Sequence, residues 1–427
     1  MNSPHTIAVL GLGRMGDRIA TRLAAEGWDV VGWTRSGRPA SGAARTAADP
    51  QEAVAQADFV LLALFDGPAC RRVLEAVRGS LRTETIVLNT STIAPAEAAE
   101  LARQFGASYV HAPVLGSVPA AATGTLQVLA AADRDTFDRA RPVLEALGTV
   151  RHVDGDAATA ASLKLIANSS LAGAVLALRD ALRQSDALGL PRTQALDVLE
   201  LGQLGRLVAR KRPFLTAASD ATPTTTTTTG TGTATATATA ATAEFTVGAL
   251  AKDMALLAGA SGAPLRSAAE LAELAGPAAD PESDIAVAAA TVPAVPDDVL
   301  APLRAYVRGH STGDPAHFRD AFLPTAHVEG IRDGAFVSWP LDAYCALFSG
   351  GPAPDEPARS RRIDSVDVHG TVATATMTLS HGADTFTDVF LLVRADDGWR
   401  IANKAYHRRP APPHPQVGGR GSEGFAE

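Results

Sequence analysis

The stretch Thr6-Ile7-Ala8-Val9-Leu10-Gly11-Leu12-Gly13-Arg14-Met15-Gly16 decides the reading of the N-terminal half of this chain. A short apolar run predicts a buried strand, and the three glycines follow it directly and open a helical pattern from Arg14 to Glu26. Gly11 permits the tight turn, Gly13 lets the backbone approach a pyrophosphate, and Gly16 allows close packing of helix on strand. The helix N-terminus adds its partial positive charge. Gly11, Leu12, Gly13, Arg14, Met15 and Gly16 are therefore expected to line a dinucleotide site. About 20 residues past the first glycine an NAD binder offers a carboxylate to the ribose hydroxyls. Here the second strand ends in Trp33-Thr34-Arg35-Ser36, with no carboxylate. Thr34, Arg35 and Ser36 suit a 2'-phosphate through charge-assisted hydrogen bonds, which points to NADP(H). The alternative for Arg35 is a solvated surface side chain.

Further apolar runs at Val30–Trp33, Phe59–Leu64 and Thr85–Asn89 alternate with helical patterns, as in a parallel sheet covered on both faces. Ser108–Val114 and Thr125–Ala131 add strands, and Gly148–His152 closes an α/β Rossmann domain over residues 1–153. Between Asp156 and Ala195 an alanine- and leucine-rich pattern reads as one long helix, followed by helices at Arg192–Gly202, Leu250–Gly259 and Ser267–Leu274. Residues 154–290 form an all-α domain, interrupted by a Thr/Ala/Gly tract over 219–243. Such a tract has nothing large to bury and is expected to be a disordered loop. Residues 276–297, rich in alanine, proline and acidic side chains, suit a linker, with Ile285–Ala290 as a last helical turn. From 298 to 408 two helical patterns, Val299–Arg308 and Pro315–Phe322, precede four strands of period two, an α+β domain; residues 409–427 read as a disordered tail.

The 427 residues exceed what one core usually supports, and the net charge of -8 gives no footprint for nucleic acid or an anionic membrane. Cys70 and Cys345 lack disulfide or metal spacing, so no metal site is expected and the cytoplasm is the default compartment. The N-terminus lacks the basic region of a signal peptide, and no apolar run is read as reaching the roughly 20 residues of a bilayer span. The expected partners are a small-molecule substrate and further copies of the chain.

The glycine turn, Asn89-Thr90-Ser91-Thr92-Ile93-Ala94-Pro95, Ala112-Pro113-Val114-Leu115-Gly116-Ser117, and Lys164 with Asn168 occur in an order that resembles the β-hydroxyacid dehydrogenases. That family includes 3-hydroxyisobutyrate dehydrogenase and its imine reductase relatives. The resemblance covers roughly residues 5–290 and implies a helical domain of the 6-phosphogluconate dehydrogenase type, with assembly through that domain. It implies an oxidoreductase with Lys164 as general acid-base and Asn168, one turn later, orienting the substrate, and with the reading of Arg35 an NADP-dependent one. Burial would bring the lysine toward neutrality, and Lys164 is the only lysine before Lys211. The alternative is a lysine snorkelling from a helix surface. Ser91 and Thr92 correspond to a loop beside the nicotinamide, as do Leu64 and Phe65, although Phe65 also reads as core. Lys252, followed by Asp253, corresponds to a lysine reaching back toward the cofactor.

The substrate loop Leu115-Gly116-Ser117 departs from the family. A carboxylate-binding serine is replaced by Leu115, with Ser117 offering a hydroxyl two positions on. Imine reductases generally lack a lysine at the position of Lys164, so its presence favours an aldehyde or 3-hydroxy-acid-like substrate. The alternatives are an imine or ketone reductase and a non-catalytic NADP-binding interaction protein. Tyr306, Asp314, Phe322, Trp339, Tyr344 and the ending Asp397-Gly398-Trp399-Arg400-Ile401-Ala402-Asn403-Lys404 resemble the nuclear-transport-factor-like cone, in particular SnoaL-like and lumazine-binding-type proteins. That resemblance implies a fold with a cavity and assigns no activity.

Overall fold

The computed structural model describes residues 5–217, 243–275, 280–290, 296–382 and 384–409, which belong to two compact units, Met1–Val292 and Pro293–Glu427. The first unit opens with β1 (Thr6–Leu10), α1 (Arg14–Ala25), β2 (Asp29–Trp33), β3 (Arg45–Thr46), α2 (Pro50–Val54), β4 (Phe59–Leu62), α3 (Gly67–Val77), β5 (Ile86–Asn89), α4 (Pro95–Phe105) and β6 (Tyr109–His111). All pairings are parallel, in the order β3-β2-β1-β4-β5-β6. The order reverses between β1 and β4, where an open α/β sheet leaves its ligand crevice. Every residue of β4 and β5 is buried, as expected of strands covered on both faces.

The remaining strands do not extend this sheet. Pro113, which has no N–H, separates β6 from β7 (Val114–Leu115), and after α5 (Val118–Thr123) come β8 (Leu126–Ala130), α6 (Arg134–Leu147) and β9 (Gly148–His152). β7, β8 and β9 form a separate three-stranded sheet, with β7 antiparallel, tied to the main one by the bridge between His111 and Ala131.

The Asp156 carboxylate caps α7 (Ala157–Ala187), accepting from Thr159 N at 2.9 Å. The helix ends earlier than its composition suggests, because Gly189 takes φ +69° and Pro191 follows it. Next come α8 (Arg192–Leu201), α9 (Gly205–Ala217), α10 (Val247–Ser261), α11 (Arg266–Leu274) and α12 (Ile285–Ala290). The sequence reading passed over α9. The helical turn read at Ile285–Ala290 is α12, and Ile285, Ala286, Ala288 and Ala289 are buried in the helical core with Val175, Leu178 and Leu250, so these residues belong to that core and not to the linker read over 276–297. α7 is long and apolar enough by length and composition alone to cross a bilayer, with a mean hydropathy of 1.5 over 18 residues, and it buries Ala172, Val175, Leu178 and Leu182 in the helical core. The Thr/Ala/Gly tract lies, except for Ala243, outside the described residues.

The second unit contains α13 (Asp297–Thr312), α14 (Pro315–Ala321), β10 (His327–Arg332), β11 (Ala335–Pro340), α15 (Leu341–Cys345), β12 (Ser360–His369), β13 (Val372–His381), β14 (Asp384–Ala395) and β15 (Gly398–Arg409). Its six strands run in the order β11-β10-β15-β14-β13-β12, antiparallel except for β10 on β15. The core gathers Tyr306 of α13, Phe318 of α14, Phe322, and Phe390 of β14. Arg409, read as the first residue of the tail, is the last residue of β15 and pairs with Thr385; residues 410–427 lie outside the described residues.

Candidate active site

The glycine turn is built by exclusion of side chains. Gly11 has φ +106°, and a Cβ there would stand 2.5 Å from Ala63 O. A Cβ on Gly16 would run into Gly11 O, whereas Gly13 faces open space. Gly13 is the N-cap of α1 with no side-chain cap, so the first amides of the helix stay available to an anion. An open floor and uncapped amides suit a pyrophosphate. The Leu12 side chain is core, packed under Gly32, and Met15 is half-buried at the cleft. Arg14 donates to Glu282 Oε2 at 2.9 Å and to Ala243 O at 3.4 Å, linking the turn to the helical domain.

Thr34, Arg35 and Ser36 follow β2 directly beside this turn, where Trp33 O accepts from Gly11 N at 2.8 Å. Arg35 and Ser36 are exposed and do not line the cleft that holds Lys164. Arg38, which the sequence reading did not single out, donates to Leu12 O and sets a second guanidinium at the turn.

Two loops form the facing wall. Ser91 is buried; its Oγ accepts from Leu64 N at 2.9 Å, and its N donates to Asn89 Oδ1 at 3.0 Å. Phe65 is 60% exposed, which removes the core alternative. Lys252 of α10 reaches back as expected, but its Nζ ends on protein: it donates to Phe65 O at 2.8 Å and Thr92 O at 2.9 Å, and pairs with Asp253 Oδ1 at 2.9 Å.

Lys164 and Asn168 share one face of α7, and both are buried. Lys164 Nζ donates to Asn168 Oδ1 at 3.1 Å, and Asn168 Nδ2 donates to Asp253 Oδ2 at 2.5 Å. Burial brings the lysine pKa down to about 8, against the opposing charge of Asp253 and with help from Lys252. Asp253 was noted only as the neighbour of Lys252; its burial at the inner end of this chain of contacts has no local sequence signal.

Lys164, Gly116 and Ser117 border two adjoining cavities. One, of about 340 Å3, extends from Lys164 to Gly13, Phe65 and Thr92. The other, of about 250 Å3, is lined by Leu115, Asn168, Leu171, Leu207, Arg210 and Phe245, among others. Arg210 of α9 donates to Ser117 Oγ and to Glu244 Oε2, the latter at 3.0 Å. Behind it, buried Lys211 pairs with Glu244 at 2.9 Å and Asp284 at 2.8 Å. The two cavities thus carry five cations, Arg14, Lys164, Arg210, Lys211 and Lys252, against Glu244, Asp253 and Glu282, with Asp284 behind Lys211. One positive charge is left over. His111 is fully buried and held neutral by burial, its pKa lowered to about 3.

Residues 6–157 match the family described as "NAD binding domain of 6-phosphogluconate dehydrogenase", and residues 294–407 the family described as "Putative lumazine-binding". The chain is 36% identical over 202 residues to the "Probable 3-hydroxyisobutyrate dehydrogenase" of Mycobacterium tuberculosis, covering 45% of this chain and 68% of that protein. It is 33% identical over 199 residues to the "NAD-dependent L-serine dehydrogenase" of Pseudomonas aeruginosa, covering 43% of this chain and 65% of that one. The solved 3-hydroxyisobutyrate dehydrogenase of M. tuberculosis, crystallised with L-serine, superimposes with a TM-score of 0.55 at 27% identity, over 68% of this chain and 100% of that one. A Rossmann turn, an adjoining helical domain and a buried lysine in the cleft between them accompany this likeness. The chain belongs to the 3-hydroxyisobutyrate dehydrogenase family of oxidoreductases, with a C-terminal domain of the lumazine-binding, nuclear-transport-factor-like type.

Proposed function

We propose that the first unit is an NADP-dependent dehydrogenase or reductase acting on an aldehyde or 3-hydroxy-acid-like substrate, with Lys164 as its general acid-base. The observation that carries this reading is the buried Lys164, with its pKa near 8, in the same cleft as the glycine turn. A bound nicotinamide would accept a hydride from the substrate carbon or return it. Gly11, Gly13 and the first turn of α1 would hold the pyrophosphate, and Arg35, Ser36 and Arg38 the 2'-phosphate. Oxidation requires the neutral Lys164 amine to take the hydroxyl proton; reduction requires the ammonium to protonate the forming alkoxide. Asn168 fixes the amine and the substrate oxygen, and Asp253 is a positioning residue, holding the amide of Asn168 with its own carboxylate. Arg210 with Ser117 would receive the substrate's carboxylate, a guanidinium in the same cavity taking the part of the family's serine that Leu115 replaces.

The test is titration of the purified chain with NADPH and NADH, wild type against Arg35→Ala. A preference for NADPH that the variant loses supports the assignment. Equal affinity for both nucleotides refutes NADP specificity, and binding of neither refutes the reading as a whole.

A further inference from the structure

The cone of the second unit encloses a cavity of about 370 Å3, within the range of small-molecule sites. Its floor is electrically closed. Asp388 Oδ2 accepts from Tyr306 Oη at 2.6 Å and pairs with Lys404 Nζ at 2.7 Å. The Lys404 ammonium lies 4.9 Å from the ring centre of Tyr306, 5.7 Å from that of Tyr344 and 5.5 Å from that of Tyr406. His310 is engaged by Tyr344 Oη at 2.9 Å. These groups satisfy one another and leave no charge to offer a ligand.

The wall is different. His381, Phe386, Tyr406, Trp339 and Arg332 form a continuous strip. Ring centres of His381 and Phe386 are 5.4 Å apart, those of Phe386 and Tyr406 6.4 Å, and those of Tyr406 and Trp339 6.2 Å with planes within 10°. The Arg332 guanidinium stands 5.9 Å over Trp339. At one end His381 Nε2 is buried without a hydrogen-bond partner among the described residues, an exception among buried polar atoms. Burial and the charges of Arg359 and Arg361 keep that ring neutral, its pKa lowered to about 4. At the other end are Arg332, 4.0 Å from Asp333, and Arg408, paired with Asp384 at 2.7 Å. With Lys404 paired to Asp388, the cations left in the lining are Arg408, tied to Asp384, and Arg332, whose only neighbouring carboxylate among the described residues is 4.0 Å away on Asp333.

We propose that this cavity is a second ligand site, for a flat aromatic carboxylate lying along the Trp339–Tyr406–Phe386 strip, its acid group at Arg332 and a polar ring atom or substituent at His381. Stacking supplies sequence-independent area, and the guanidinium selects the anion. The inference is independent of the redox reading of the first unit.

The full chain is titrated calorimetrically with 2-naphthoate and with 2-naphthamide, with NADPH affinity as the check on the first unit and thermal melting as the check on fold. One naphthoate should bind per chain, with the amide at least tenfold weaker. Arg332→Gln, at an exposed position, should bring naphthoate down to the level of the amide. Trp339→Leu should weaken both. The proposal is overturned if neither probe binds, if acid and amide bind equally, or if Arg332→Gln leaves naphthoate binding unchanged. Binding lost in Arg210→Gln instead would place the acid in the redox cleft and overturn it as well.

Discussion

The Lys164 ammonium donates to Asn168 Oδ1 at 3.1 Å, and the amide of the same asparagine is engaged by Asp253. The asparagine therefore has its carbonyl end turned to the lysine, an orientation set by a carboxylate 85 residues away in sequence. Lys164 is thereby held at one place in the cleft with a depressed pKa, and the pH dependence of turnover follows from that.

The folded pKa of Lys164 lies near 8, below its ordinary 10.5. With Lys164 in the proposed role, oxidation needs the neutral amine, so kcat/KM should rise with pH through about 8, and reduction needs the ammonium, so the rate should fall over the same interval. Stability has its own sign: below pH 8 both states are protonated and the buried charge destabilises the fold fully, and that destabilisation fades between 8 and 10.5. Lys164→Ala should lower kcat by about 10²–10⁴-fold and remove the titration, leaving NADPH affinity within about twofold. Stopped-flow profiles in both directions measure this; a surviving titration near 8 would assign it to another group.

Arg210 is the guanidinium that the sequence reading did not place. Arg210→Gln should raise KM for an aldehyde acid by roughly ten- to a hundredfold, the ~1.5–3 kcal/mol of a hydrogen bond to a charged group, while the corresponding uncharged aldehyde is scarcely affected. Parallel steady-state kinetics on succinic semialdehyde and butanal separate the cases. An equal change for both substrates would mean that Arg210 only shapes α9.

Lys252 gathers carbonyls from two loops that line the cleft proposed to hold the cofactor. Lys252→Met keeps most of the side-chain volume and removes the donors, and NADPH affinity should fall by about tenfold, ~1.4 kcal/mol, without loss of the melting temperature of the second unit. Fluorescence titration of bound NADPH measures it; undiminished affinity would show that the loops hold themselves.

Buried Lys211 has two carboxylate partners, Asp284 and Glu244. Removing the buried one in Asp284→Ala should destabilise the first unit by about 3–5 kcal/mol, whereas adding Lys211→Met should recover much of that loss. Urea unfolding of the single and double variants tests the pair; additive losses would exclude coupling between the two positions.

The glycine turn was legible because its constraint is local: a strand, three glycines and a helix lie within eleven residues, and each missing Cβ has a nearby reason. Lys164 and Asn168 were legible from spacing on one helix face together with the family resemblance. Arg210, Lys211 and Asp253 were not, because their importance comes from partners such as Asp284, 73 positions from Lys211. The α9 stretch Arg210-Lys211-Arg212-Pro213 hides a helix behind consecutive cations and an internal proline. β10 and β11 were missed for a related reason, since Ile331 and Phe336 are largely exposed and break the expected alternation.

Lys211 and Glu244 sit on either side of the Thr/Ala/Gly tract and are joined at 2.9 Å. That closure fixes the spacing of the two ends whatever number of residues lies between them. The end of α9 and the segment leading into α10 are therefore held side by side by buried ion pairs rather than by the chain that connects them.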